Sequence, residues 1–260
     1  MNCLHWKNAM ALVSLMFSLA LSGCVAVAAQ PVSADVRHNP SQAYRAWVFC
    51  IDRSLSPREE QFGKLLGVLK GMAESKVTYN DLVWLLDIQA DPGQARLFVM
   101  PQATQTRRSA PTGSAESLRR AKAELIQAIG AASQVSGRTN LKDPLEAALD
   151  ILRAHQGASE RILVMGSDFL TDSNSGRVSF EAPQTERAQS AAKINAFLLV
   201  TYPKPQYLRA LRIGPSELLM KIEEDWKGNL YQRGALTVTV RAVDAMPMVV
   251  PQAGADMRGN

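Results

Sequence analysis

Three short stretches place oxygen-bearing side chains where a cation could be held. The first reads AWVFCIDRSLSP, Ala46–Pro57. In it an apolar run ends on Asp52, and Ser54 and Ser56 follow at alternate positions. Alternate residues of an extended chain project to one side, so the three side chains can converge. The second stretch is GRTNLKDPL, Gly137–Leu145, which offers the Thr139 hydroxyl just ahead of a helical pattern. The third is RILVMGSD, an apolar run that ends on Asp168. Together these make two carboxylates and three hydroxyls, with no histidine in any of the three stretches. A hard-oxygen set of this kind suits Mg²⁺, with Mn²⁺ or Ca²⁺ as alternatives. Mg²⁺ takes near-octahedral oxygen ligands and keeps part of its water. Taken singly, Asp52, Ser54, Ser56 and Thr139 also suit a helix N-cap. Capping accounts for one or two such residues, not for five.

The elements that must position them are legible in the hydrophobic pattern. Residues 45–52 form a near-continuous apolar run, expected of a strand covered on both faces. Phe62, Leu65, Leu66, Val68, Leu69 and Met72 recur at helical spacing over 56–75, behind Pro57 and the acidic pair Glu59 and Glu60. Strands over 81–88 and 95–100 flank Asp91-Pro92-Gly93, which predicts an antiparallel hairpin. Helices follow over 114–132 and after Thr139–Leu141, then strands over 161–166 and 196–201, a helix over 216–230 and an edge strand over 236–243. Strands alternating with helices specify an α/β fold, a doubly wound, mostly parallel, Rossmann-like sheet with one antiparallel edge strand. Ligands of such sheets bind beyond the carboxyl ends of the strands, where the strand order reverses. Asp52 and Asp168 each close a strand there. Cys50 reads as a small core residue, and Arg53 and Leu55 as outward spacers between the ligands.

Asp52-x-Ser54-x-Ser56, then Thr139 in a Gly-x-Thr-x-Leu context, then Asp168 at a strand end, resembles the metal-ion-dependent adhesion site of von Willebrand factor type A domains. The resemblance covers residues 45–243. It implies that Ser54 and Ser56 bind the cation directly, Thr139 directly or through water, and Asp52 and Asp168 often through water. It further implies that a protein ligand supplies an acidic residue to the remaining position, so the metal is a docking point and not a catalyst. There are two departures from the pattern. Family members commonly carry glycine after the last aspartate, where this chain has Phe169. Asp172 is a competing acid in the same loop.

The N-terminus points to export. Lys7 precedes an apolar run over 9–20, too short to span a bilayer comfortably, and the run leads into Leu21-Ser22-Gly23-Cys24. That ending resembles a bacterial lipobox, which implies lipidation at Cys24. A plain secretory signal cut within Val25–Ala29 is the alternative. The organisation expected is a signal peptide over 1–23, a lipid-anchored tether over 24–44, the α/β domain over 45–244 and a loose tail over 245–260. The expected location is the cell envelope, periplasm-facing and held to a membrane by acyl chains. Val25 after the cysteine favours the outer membrane. Lipidation would leave Cys50 as the one free thiol, so no internal disulfide is expected.

A net charge of +5 on 260 residues is mild and argues against a nucleic-acid binder, which needs a concentrated basic face. Arg107 and Arg108 fall in a polar loop expected at the opposite end of the sheet from the cation. Enzymes fit less well. A haloacid-dehalogenase-type phosphotransferase, or related Mg-dependent phosphohydrolase, also starts from an aspartate at a strand end. It needs a second carboxylate two residues on, where Ser54 stands. Gly166-Ser167-Asp168 lacks the glycine-framed elbow of a serine hydrolase. His155 falls at a helix end, where it suits the dipole better than base chemistry. The expectation is a non-enzymatic adhesion or envelope-assembly protein. The alternative is a structural scaffold whose metal site is vestigial or purely structural.

Overall fold

The computed structural model describes residues 43–89, 94–103, 112–135, 139–172, 178–179, 182–183 and 193–246. The chain divides into two units, Met1–Ala34 and Asp35–Asn260, and every described residue belongs to the second. The expected signal peptide, Cys24, nearly all of the tether, Arg107, Arg108 and the tail beyond Met246 lie outside the described residues. No helix among the described residues is long and apolar enough to cross a membrane.

Strand β1, Arg45–Ile51, is the centre of the sheet. From Ala46 onward its run is apolar, because both faces are covered. Val48 and Cys50 pack on one side, and Trp47, Phe49 and Ile51 on the other. Helix α1, Glu59–Lys76, follows, then β2, Leu82–Asp87, and β3, Arg96–Val99. Helices α2, Thr112–Gly130, and α3, Lys142–Ala154, precede β4, Glu160–Ser167. After a two-residue pair, β5 at Thr171–Asp172 and β6 at Val178–Ser179, comes β7, Ile194–Val200. Helices α4, Pro205–Leu211, and α5, Pro215–Gln232, lead to β8, Ala235–Ala242.

The six-stranded sheet has the order β3-β2-β1-β4-β7-β8. Every neighbouring pair is parallel except β2 with β3. This is the doubly wound sheet with one antiparallel edge strand that the pattern predicted. The chain goes from β1 outward to β2 and later returns to the other side of β1 as β4. The strand order therefore reverses between β1 and β4, which makes their carboxyl ends the crevice where ligands of such folds sit.

Helices cover both faces. Leu65, Leu69, Leu125 and Ile129 of α1 and α2 pack with Phe49, Ile51 and Val164. Leu145, Leu149 and Trp226 of α3 and α5 pack with Val48, Cys50 and Met165. At the amino edge of the sheet Arg45 grips Asp81 with two hydrogen bonds, Nε to Oδ1 at 3.0 Å and a terminal nitrogen to Oδ2 at 2.6 Å. The Trp47 indole also donates to that carboxylate.

At Gly166 in β4, Leu65 of α1 packs directly over the backbone. A Cβ there would stand 2.4 Å from Leu65 Cδ1, and Leu65 is itself buried. Gly166→Ala is expected to destabilise the protein by about 1–3 kcal/mol through overpacking, read as a lower midpoint of denaturant unfolding at unchanged slope.

Candidate functional site

The parallel ladder between β1 and β4 aligns Ile51 with Gly166 and continues one residue further, where the Asp52 amide donates to Gly166 O at 2.9 Å. Asp52 is thereby set beside Ser167, and its side chain is fully buried. Three donors converge on its carboxylate. The Ser54 amide reaches Oδ1 at 2.9 Å, Gln89 Nε2 reaches Oδ1 at 2.6 Å, and the Ser167 hydroxyl reaches Oδ2. The aspartate is thus the hub of the loop and not a helix cap. The residue preceding α1 is Arg58, with no side-chain cap.

Ser54, only 2% exposed, and half-buried Ser56 hold their hydroxyl oxygens 2.8 Å apart. Leu55 between them points outward at 43% exposure, as expected. Arg53 does not. Its guanidinium pairs with Asp87 and donates to Ser133 O at 2.6 Å, its amide donates to Gln89 Oε1, and its carbonyl accepts from the Val135 amide at 2.7 Å. The correction has a simple cause. Asp87 stands opposite Ile51 in the β1–β2 register, which puts a carboxylate two residues from Arg53.

Two distant segments clamp the serine loop. Gln134 Nε2 donates to the carbonyls of Ser54 at 2.9 Å and Pro57 at 3.2 Å. From the segment after β7, the Lys204 amide donates to Ser56 O at 2.8 Å, its Nζ donates to Leu55 O at 2.6 Å, and Pro203 bridges to Pro57. Their carbonyls are thus occupied by the clamp, and their hydroxyls bond each other.

Thr139 is buried at 4% exposure. It does not cap α3, whose preceding residue is Leu141 without a side-chain cap. Asn140 makes the local turn instead, accepting from the Lys142 amide at 3.0 Å. Its place along the sheet follows from α3. The end of that helix is tied to the amino edge, where His155 Nδ1 lies 3.3 Å from the Tyr44 hydroxyl and Ser159 donates to Tyr44 O at 2.8 Å. Thirteen residues of helix run back about 20 Å, the length of the strands beneath, so the start of α3 and Thr139 ahead of it stand at the carboxyl edge.

Asp168 follows directly on β4, is fully buried, and accepts the Leu170 amide on Oδ1 at 3.1 Å. The residue after it bears on the missing glycine. Phe169 adopts φ 58°, the left-handed region that glycine enters freely and other residues resist. Its amide donates to the Ser167 hydroxyl at 2.8 Å, and its buried ring packs edge-on to Trp226, centroids 4.8 Å apart at 71°. The backbone meets the glycine-like turn, and core packing holds it there. The backbone of Asp172 lies in β5, while its side chain lies outside the described residues.

Hydrogen bonds therefore join Asp52, Ser54, Ser56 and Ser167, while Thr139 and Asp168 are brought to the same edge by the elements that carry them. Among the described residues no group of three or more histidine, cysteine or acidic side chains is placed to hold a metal. The donor chemistry fits a small hard cation. On an octahedral ion with metal–oxygen distances of about 2.0–2.1 Å, adjacent ligands lie about 2.9 Å apart. The hydrogen bond between the two serine oxygens holds them at nearly that separation. Sequence patterns missed Gln89, Ser167, Gln134 and Lys204. Of these only Ser167 had a signal, its place directly before Asp168 at the end of an apolar run.

No family model matches this chain, and no curated protein does. Among solved structures it is similar to the crystal structure of manganese-loaded Plasmodium vivax TRAP protein, at 14% identity, over 74% of this chain and 72% of that one, with a TM-score of 0.32. At that distance the class of fold rests on the strand order described above.

Proposed function

We propose that this protein is an exported domain of the von Willebrand factor type A kind that docks a protein partner through a divalent cation. Asp52, Ser54, Ser56, Thr139 and Asp168 hold the cation, Mg²⁺ or alternatively Mn²⁺ or Ca²⁺, and an acidic side chain of the partner completes its shell. Lipidation at Cys24 tethers the domain to a membrane, in the cell envelope and favouring the outer membrane, where adhesion or envelope assembly is its work. One observation carries this reading. A buried aspartate at the strand-order reversal orients a serine pair whose oxygens stand 2.8 Å apart, as neighbouring ligands of an octahedral cation do.

The same geometry speaks against phosphoryl transfer to Asp52. The acid/base carboxylate such chemistry needs two residues on is replaced by Ser54, whose hydroxyl bonds Ser56 instead.

A scaffold role is the second reading, and it too has support. The serine loop is held from both sides by hydrogen bonds from Gln134 and Lys204. Partner recovery separates the two. With the protein immobilised, adhesion through the cation predicts that partners captured from solubilised membranes in Mg²⁺ are released by chelator and are not captured by Ser54→Ala/Ser56→Ala. Partners retained in chelator would make the protein a scaffold.

A further inference from the structure

Thr201 is fully buried at the carboxyl edge of the sheet, and its Oγ1 meets no hydrogen-bond partner among the described residues. Folded proteins rarely leave a buried hydroxyl so, because burial removes its bonds to water without replacing them. An exception of this kind calls for a ligand or a bound water.

The direction of Thr201 follows from the strand it extends. Its amide donates to Ser167 O at 3.0 Å, so the β4–β7 ladder and its alternation continue one residue past β7. Val200 packs with Cys50 and Met165 on the α3 face, and Leu199 packs with Ile51 and Leu65 on the α1 face. Thr201 therefore shares the α1 face with Leu199. On the neighbouring strand Gly166 also faces α1, against Leu65, so Asp168 two residues on shares that side. The serine loop leads directly into α1, and the segment 201–204 grips that loop through Lys204 and Pro203. A fully buried hydroxyl is thus placed on the Asp168 side of the sheet, three residues ahead of the Lys204 that clamps Ser56.

We infer that Thr201 is a further positioning residue of the cation site, its hydroxyl held ready to bond the hydration shell of the bound cation beside Asp168. This rests on the divalent-cation reading of the site and adds a residue that neither the D-x-S-x-S pattern nor the resemblance assigns. In the cation-free protein the hydroxyl contributes nothing, and its function begins when the cation brings its water.

The test is a calorimetric titration of Mg²⁺ into the intact protein, together with the melting temperature of the cation-free form, for wild type, Thr201→Val and Thr201→Ser. T201V keeps the shape and removes the hydroxyl. It is expected to melt no lower than wild type without cation and to bind Mg²⁺ about 10–100-fold more weakly, the range seen when outer-shell partners of a metal are lost. T201S, which keeps the hydroxyl, is expected to restore binding. T201V with wild-type affinity overturns the inference, as does a cation-free T201V that melts markedly lower, which would give the hydroxyl a structural partner. T201S binding as weakly as T201V overturns it too, since shape and not the hydroxyl would then matter. A wild type that binds no Mg²⁺ overturns the cation reading itself, a result the parallel wild-type titration keeps apart from the others.

Discussion

Phe169→Ala is expected to destabilise the protein by about 3–5 kcal/mol, and Phe169→Gly by about 1 kcal/mol less than that. The first figure comes from emptying a fully buried aromatic site against Trp226. The second comes from the backbone. At φ 58° an alanine still carries the left-handed penalty, and a glycine does not. The usual order, in which alanine is the more stabilising of the two, is thereby inverted. Denaturant unfolding of both variants at equal slope decides it. Alanine above glycine would mean that the turn after Asp168 is not left-handed, and would break the link between Phe169 and the glycine common at this position in the family it resembles.

Asp52→Asn and Asp52→Ala are expected to part company. Alanine strands the Ser54 amide, the Gln89 amide and the Ser167 hydroxyl around an emptied buried site, at about 1–3 kcal/mol for each group left unmet, with incomplete additivity. Asparagine keeps the shape. Its carbonyl can accept from Ser54 and Gln89, and its amide can donate to a Ser167 hydroxyl turned to receive it. Asparagine therefore removes the negative charge with little loss of fold, which makes it the cleaner probe of cation binding. Thermal unfolding should place Asp52→Asn close to wild type and Asp52→Ala well below it.

Much of this fold could be read from hydrophobic pattern. The uninterrupted run of β1 reports burial on two faces, and the packing of Cys50 and Ile51 into opposite cores bears that out. The antiparallel edge was legible because strand patterns flank Asp91-Pro92-Gly93, although the turn itself lies outside the described residues. Helix α4 went unread despite Pro205 at its first position, a start signal that a seven-residue helix is too short to reinforce with periodicity. The pair β5–β6, two residues each, carries no pattern at all.

The candidate site divides in the same way. Asp52, Ser54 and Ser56 are local in sequence, and their spacing is the signal. Gln89 and Lys204 meet that loop only through tertiary placement, 37 residues from Asp52 in one case and 149 from Leu55 in the other. Arg53 reads as a spacer in sequence because its partner, Asp87, belongs to the neighbouring strand and only the β1–β2 register reveals it. Phe169 looked like a departure because a missing glycine is visible in sequence, while the ring of Trp226, 57 residues on, that holds the turn is not.

The central claim is that a divalent cation binds at this edge of the sheet and that the Asp52 charge is needed to hold it. Calorimetric titration of Mg²⁺ into the intact wild-type protein and into Asp52→Asn tests it most directly. Saturable one-site binding by the wild type, lost in a variant that remains folded, is the result predicted. Equal binding by both proteins, or none by the wild type, would contradict it.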